Sequence, residues 1–280
     1  MGMKWMWMTT FLLASVCVQA QELNGKITDE KTGEVIPYVN VGVAAKGIGT
    51  VSQGDGRFHL NIDSAGTTDT LVVSFIGYTS KKFAISELRQ GSGYLSVQLE
   101  QQVFDLNEVE VRPVRLIPVV LGTDFDKPYI SAGFKSNDLG SEVGMVMKTK
   151  KDRKYYLNST GFWISKCEYD SILFRVNVYD YNKGEVGELL HQLPIYVKAT
   201  PATKHMQIDL RPYNISVTND FVITLEWIQE LPDPMESFLF CAGFLSEGLV
   251  YRKTSQDVFT KFNIAGIGMY CEAEMEKPLK

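Results

Sequence analysis

Through much of this chain, apolar and polar positions alternate with a period of two. Leu71, Val73 and Phe75 share one register, with Val72, Ser74 and Ile76 in the other. Leu95, Val97 and Leu99 alternate with Ser96 and Gln98, and Met206, Ile208 and Leu210 with Gln207 and Asp209. Ile172, Phe174, Val176 and Val178 face one way, and Arg175 and Asn177 the other. Phe221, Ile223, Leu225 and Trp227 alternate with Thr224 and Glu226. This period, carried by β-branched and aromatic residues, predicts strands with one buried face. No window predicts a long amphipathic helix. "AISELRQG" predicts a single helical turn, capped by Ser86 and ended at Gly91. Many short strands separated by Gly, Asn, Asp and Pro predict an all-β protein built from sandwiches or barrels.

The punctuation divides the chain. "RPVRLIPVVLGTDFDKP" places Pro113, Pro118 and Pro128 around a short apolar patch. Proline cannot donate to a central ladder, so residues 112–128 read as an extended connector that packs on something. The expected organisation is a segment 1–20, a first sandwich 21–111, the connector, and a second sandwich 129–280. "GTVSQGDGRFHL" (49–60) gathers Gly49, Gly54 and Gly56 around Asp55. A calcium loop would need alternating oxygen ligands closed by Glu, and a P-loop would need Gly-Lys-Ser/Thr opening a helix. Neither is present, and Gly54-Asp55-Gly56 reads as a tight hairpin turn between strands.

The N-terminal residues give an address. Lys4, the apolar run to Val18, and Val18-Gln19-Ala20 predict a secretory signal peptide cleaved after Ala20, too short to span a bilayer. Cys17 offers a lipoprotein alternative, but Ala14-Ser15-Val16 fits a lipobox poorly. No later stretch is long and apolar enough for a transmembrane helix, so an exported protein of the periplasm, outer membrane or cell surface is expected. The net charge of −5 argues against a nucleic-acid partner. With 45% apolar residues the chain can build sizeable cores. Cys167, Cys241 and Cys271 lie far apart without CxxC spacing, so small buried thiols are expected rather than zinc ligands.

One part of the chain resembles a known family. Gly25-x-Ile27, Thr32-Gly33-Glu34, Pro37-x-x-Asn40-Val41, Gly49-Thr50, Asp55-Gly56-x-Phe58, Ser74-x-Ile76-Gly77-Tyr78 and Leu106-Asn107-Glu108-Val109 arrive in order over about ninety residues. The stretch resembles the carboxypeptidase-regulatory-like domain of Bacteroidetes-type envelope proteins. That resemblance implies a seven-stranded, transthyretin-like β-sandwich. It is also similar to the N-terminal extension of TonB-dependent transporters, although too few residues follow for their barrel and plug. The regulatory domain is not the peptidase. His59, His191 and His205 lack HxxE spacing, so no zinc site, and no cofactor, is expected.

The second part reads as an antiparallel, jelly-roll-like sandwich. Glu142, Asp170, Asp180, Glu226 and Glu230 include candidates for a glycoside-hydrolase carboxylate pair, but such residues on polar strand faces are expected to be solvated. No GxSxG nucleophile elbow occurs. Trp163, Trp227, Tyr155, Tyr156 and Tyr181 could form a sugar-stacking platform. Trp227 belongs to a buried register, which leaves Tyr155, Tyr156 and Tyr181 as candidate partner-binding residues on an exposed face. The expected function is that of a non-catalytic, exported binding or adaptor protein with a protein or glycan partner. The alternatives are a carbohydrate-active hydrolase and an assembly module that uses edge strands.

Overall fold

The computed structural model describes residues 21–102, 114–134, 139–231, 237–244 and 248–278. The predicted signal peptide, Cys17 and the Leu106–Val109 stretch lie outside these residues.

The first sandwich is built from β1 (Glu22–Asp29), β2 (Asn40–Val43), β3 (Ile48–Val51), β4 (Arg57–Asn61), β5 (Thr70–Ser74), β6 (Lys81–Ala84), α1 (Ile85–Leu88) and β7 (Tyr94–Leu99). One sheet has the order β4-β1-β7 and the other β3-β2-β5-β6, which together make the expected seven strands. The alternating registers meet between the sheets, where Ile27, Val41, Phe58, Leu71, Val73 and Val97 are buried. At Thr32-Gly33 the corner is tied by Asp29, whose carboxylate accepts from the Lys31 and Thr32 amides at 2.8 Å each.

Two local expectations are corrected. Gly54-Asp55-Gly56 does turn the chain, with Gly56 at φ 75°. However, β3 and β4 belong to different sheets, so the turn is a crossing between layers and not a hairpin. A Cβ on Gly56 would lie 2.7 Å from the Ile27 carbonyl oxygen, so both space and backbone conformation require glycine. The turn α1 begins one residue before Ser86, with Ala84 at its N-cap and no side-chain cap. Packing of the buried Ile85 therefore holds it in place of a capping hydroxyl.

The second sandwich opens with β8 (Val114–Thr123), β9 (Ile130–Phe134), β10 (Glu142–Met147), β11 (Tyr155–Cys167) and β12 (Ile172–Asn182). It continues through β13 (Glu185–Leu189), β14 (Ile195–Ala199), β15 (His205–Asp209), β16 (Ser216–Val217) and β17 (Phe221–Trp227). It closes with β18 (Phe238–Phe244), β19 (Leu249–Arg252), β20 (Thr260–Phe262), β21 (Ala265–Ile267) and β22 (Met269–Pro278). One sheet runs β13-β12-β17-β10-β19-β20, with β14 also on β12. The other runs β21-β18-β11-β22-β8, with β15 and β16 on β11 and β9 on β18. Phe174, Val176, Ile223, Trp227, Phe238 and Phe240 fill the space between them. Within the stretch read as a connector, residues 114–123 are extended, but they pair along their whole length with β22 and belong to this sandwich. Pro118 is accommodated because β8 is the outermost strand of its sheet.

Candidate functional site

On β12, β17, β10 and β19 the registers opposite the core place four charged residues side by side across four adjacent strands. Arg175 pairs with Glu226, Glu226 with Glu142, and Glu142 with Arg252. The row therefore reads plus, minus, minus, plus. Both carboxylates are 0% exposed and Arg175 is 1% exposed. Arg175 donates through Nε and Nη2 to Glu226 Oε2 at 2.9 and 2.8 Å. Arg252 Nε lies 2.6 Å from Glu142 Oε2, and its Nη2 lies 3.7 Å from Glu226 Oε1. Asn177 Nδ2 bridges the two acids, 2.7 Å from Glu142 Oε1 and 2.7 Å from Glu226 Oε2. Thr224 and Tyr179 donate their hydroxyls to Glu142. Burial penalises both carboxylates. At Glu226 the guanidinium groups of Arg175 and Arg252 outweigh that penalty and hold its pKa below the usual value. At Glu142 burial prevails over Arg252, with the Glu226 charge adding to it, and the pKa is raised.

Carboxylates on the polar face of a strand were expected to be solvated. Asp170 and Glu230 are exposed as expected, but Glu142 and Glu226 are not. The reason is that the first sandwich sits against this face. Arg175 Nη1 donates to the Tyr38 carbonyl at 2.8 Å and Nη2 to Asn40 Oδ1 at 2.7 Å. Gln256 Nε2 donates to Ser74 Oγ at 2.7 Å, and the Ala45 amide to the Gln256 carbonyl at 3.0 Å. The Ser255 carbonyl occupies the space that side chains at Gly42 and Gly49 would need. Tyr38 meets Tyr196 edge-on, with ring centroids 5.7 Å apart.

Beside this seam open two clefts. A small one of about 240 Å³ borders Asn177, Tyr179, Arg252 and Phe75. A larger one of about 520 Å³ lies between the β12–β13 hairpin and the Asp257–Lys261 segment, lined by Tyr179, Tyr181, Arg252 and Phe259. The three candidate tyrosines separate here. Tyr181 borders the larger cleft but is buried, 6% exposed, which corrects its expected place on an exposed face. Tyr155 is 1% exposed in the core, and its hydroxyl accepts from the Lys150 amide at 2.8 Å, which corrects its expected place on an exposed face. It occupies the inward register of β11. Tyr156 points the other way, half-buried, and donates to Glu276 at 2.6 Å. Trp227 is fully buried, whereas Trp163 packs its ring on His205 with centroids 4.1 Å apart. Among the described residues no group of three or more His, Cys, Asp and Glu side chains is placed to hold a metal ion. Cys167, Cys241 and Cys271 are free and buried.

The family comparison covers the half of the seam that supplies Tyr38, Asn40 and Ser74. The CarboxypepD_reg-like domain family matches residues 23–111. Residues 23–111 are a CarboxypepD_reg-like domain. No curated protein matches the chain. One solved structure, titled "Crystal structure of infectious bursal disease virus VP2 subviral particle", is 8% identical to it, with a TM-score of 0.30. That alignment covers 92% of this chain and 64% of the viral one, so the chain spans less than two thirds of it.

The regulatory-like domain family is non-catalytic. Its contribution here is to close over the charge row of its neighbour. Asn40 and Gly49, both in the motifs that carried the resemblance, are used for that contact: one as an acceptor for Arg175, the other as space for Ser255. The sequence signals the motif residues but not their partners, because nothing in the local pattern near residue 175 marks its strand face as covered.

Proposed function

We propose that this chain is an exported, non-catalytic binding or adaptor protein of the bacterial envelope, in which the regulatory-like domain fixes the second sandwich in one orientation toward a protein or glycan partner. The single observation that carries this reading is the sealed charge row. Its two carboxylates converge, as a hydrolase would need, but both are inaccessible and each is neutralised by a guanidinium. A glycosidase needs its acid and its nucleophile or base to face the sugar. Buried and paired with guanidinium groups at both ends, the row acts as a structural clasp. The test is to offer the purified mature protein to glycan arrays and cross-linked envelope extracts, and to assay turnover on the same glycans. Saturable binding without turnover is the expected result. Turnover that Glu142→Gln or Glu226→Gln abolishes, in variants that keep the wild-type circular dichroism, would overturn the proposal.

A further inference from the structure

Tyr181 has a feature that the fold does not explain. Its side chain is 6% exposed, yet its hydroxyl has no hydrogen-bond partner among the described residues. A buried hydroxyl left unpaired costs about 1–3 kcal/mol. The residue packs with Val146, Val222 and Val250 in a small apolar cluster on the outer face of the β12–β17–β10–β19 sheet. Phenylalanine would satisfy that packing with no such cost. The hydroxyl therefore requires a reason outside the packing.

The charges around it point to one. Tyr181 stands where the 520 Å³ cleft meets a second cleft of about 440 Å³, and it lines both. Lys148, Lys151, Lys183 and Lys261 line the second cleft, against one carboxylate, Asp220. Asp220 is already engaged by Lys148 at 2.8 Å and by the Thr149 amide at 2.8 Å. Lys151, Lys183 and Lys261 form no ion pair among the described residues. The Lys148 and Lys261 ammonium groups lie over the Tyr181 ring, 5.5 and 5.6 Å from its centroid. Two like charges drawn to one ring repel each other, and an anion between them relieves that repulsion. This positive cluster stands out on a chain of net charge −5.

We infer that the lysine-lined cleft at Tyr181 binds an oxyanion (a carboxylate, phosphate or sulfate group of the partner), held by the lysine ammonium groups and by the Tyr181 hydroxyl as donor. Movement of the flexible Lys148 and Lys261 side chains toward the anion opens the hydroxyl to it. The inference names the chemistry of one site of the binding protein proposed above, and it rests on that reading.

Calorimetric titrations of the full mature chain with sodium glucuronate, inorganic phosphate and sodium sulfate test it, each against sodium chloride at matched ionic strength. Saturable binding of at least one oxyanion is expected, weakened about tenfold or more by Tyr181→Phe, since a hydrogen bond to a charged group is lost. Lys261→Gln should weaken it as well. The anion that binds identifies the source: glucuronate an acidic saccharide, phosphate or sulfate an esterified one. Tyr181→Phe should melt no lower than the wild type, because the hydroxyl has no partner in the free protein. A response no different from chloride, or saturable binding that neither variant changes, would overturn the inference. If partner capture survives while no oxyanion binds, this inference alone fails. If oxyanions bind but no partner is captured, the adaptor reading fails instead.

Discussion

Arg175 is the residue on which the seam turns. Among the described residues it is the one side chain that bonds both to the acid row beneath it and to the backbone and amide of the facing sandwich. Removing one member of a buried ion pair leaves its partner charged in a medium that cannot solvate it. Arg175→Met is therefore expected to cost about 3–5 kcal/mol in urea denaturation. His191 makes a separate prediction. Burial, with the Arg175 charge adding to it, lowers its pKa from 6.5 to about 4, against a bond to the Leu193 carbonyl. The folded form thus keeps the imidazole neutral where the unfolded chain protonates it. Between pH 6.5 and about 4 the unfolded state binds more protons, so stability should fall as pH falls through that window. The loss attributable to His191 should reach up to about 3 kcal/mol at its lower end. Urea midpoints of His191→Gln should be flatter than the wild type's across the same range. That Arg175 faces away from the core of its strand was readable from alternation. That it faces protein in place of water was not, because its partners lie more than 130 positions away in sequence.

At the scale of the element, the period-two pattern picked out the inward faces of β5, β7, β12, β15 and β17, each of which meets the core of its own sandwich. It failed where a second covering layer comes from elsewhere in the fold. Glu142, Thr224 and Glu226 lie on such a doubly covered face, and each of their strands buries residues in both registers. Proline misled in the opposite sense. Pro118 suggested a connector, and only the position of β8 at the edge of its sheet reconciles it with a ten-residue strand. Glycine was more informative. Gly77 follows β5 with φ at 82°, and a Cβ there would lie 3.0 Å from the Gln192 carbonyl oxygen. Gly77→Val is expected to cost about 1–3 kcal/mol by thermal or urea unfolding, from backbone strain alone. Gly49→Val should act through the neighbouring element. A side chain there meets the Ser255 backbone, which is not the movable end of a flexible side chain, so the β2–β3 hairpin must retreat from the loop after β19.

For the whole molecule, two separate hydrophobic cores are joined through a polar seam. Intact, the seam should make the protein unfold in a single calorimetric transition, because breaking it exposes the charge row. In Gly49→Val the expectation is two transitions and a larger radius of gyration by small-angle scattering, with the strand content by circular dichroism unchanged. A single transition with unchanged dimensions in that variant would show that the sandwiches are coupled by something other than this contact. The overall class and the first sandwich were legible because local alternation and one ordered set of motifs suffice to specify them. The clefts beside Tyr181 were not legible, because a cleft is a property of loops brought together by distant strands.

The clasp at Arg175 has a further consequence. Each of its surfaces is carried on a sheet with a core of its own, so the two faces are complementary before they meet. Covalent continuity between them then raises their effective concentration and leaves their fit to the surfaces themselves. Fragments 21–102 and 114–280, produced as independent polypeptides, should recombine on mixing into a heterodimer that Arg175→Met cannot form, as native mass spectrometry would record.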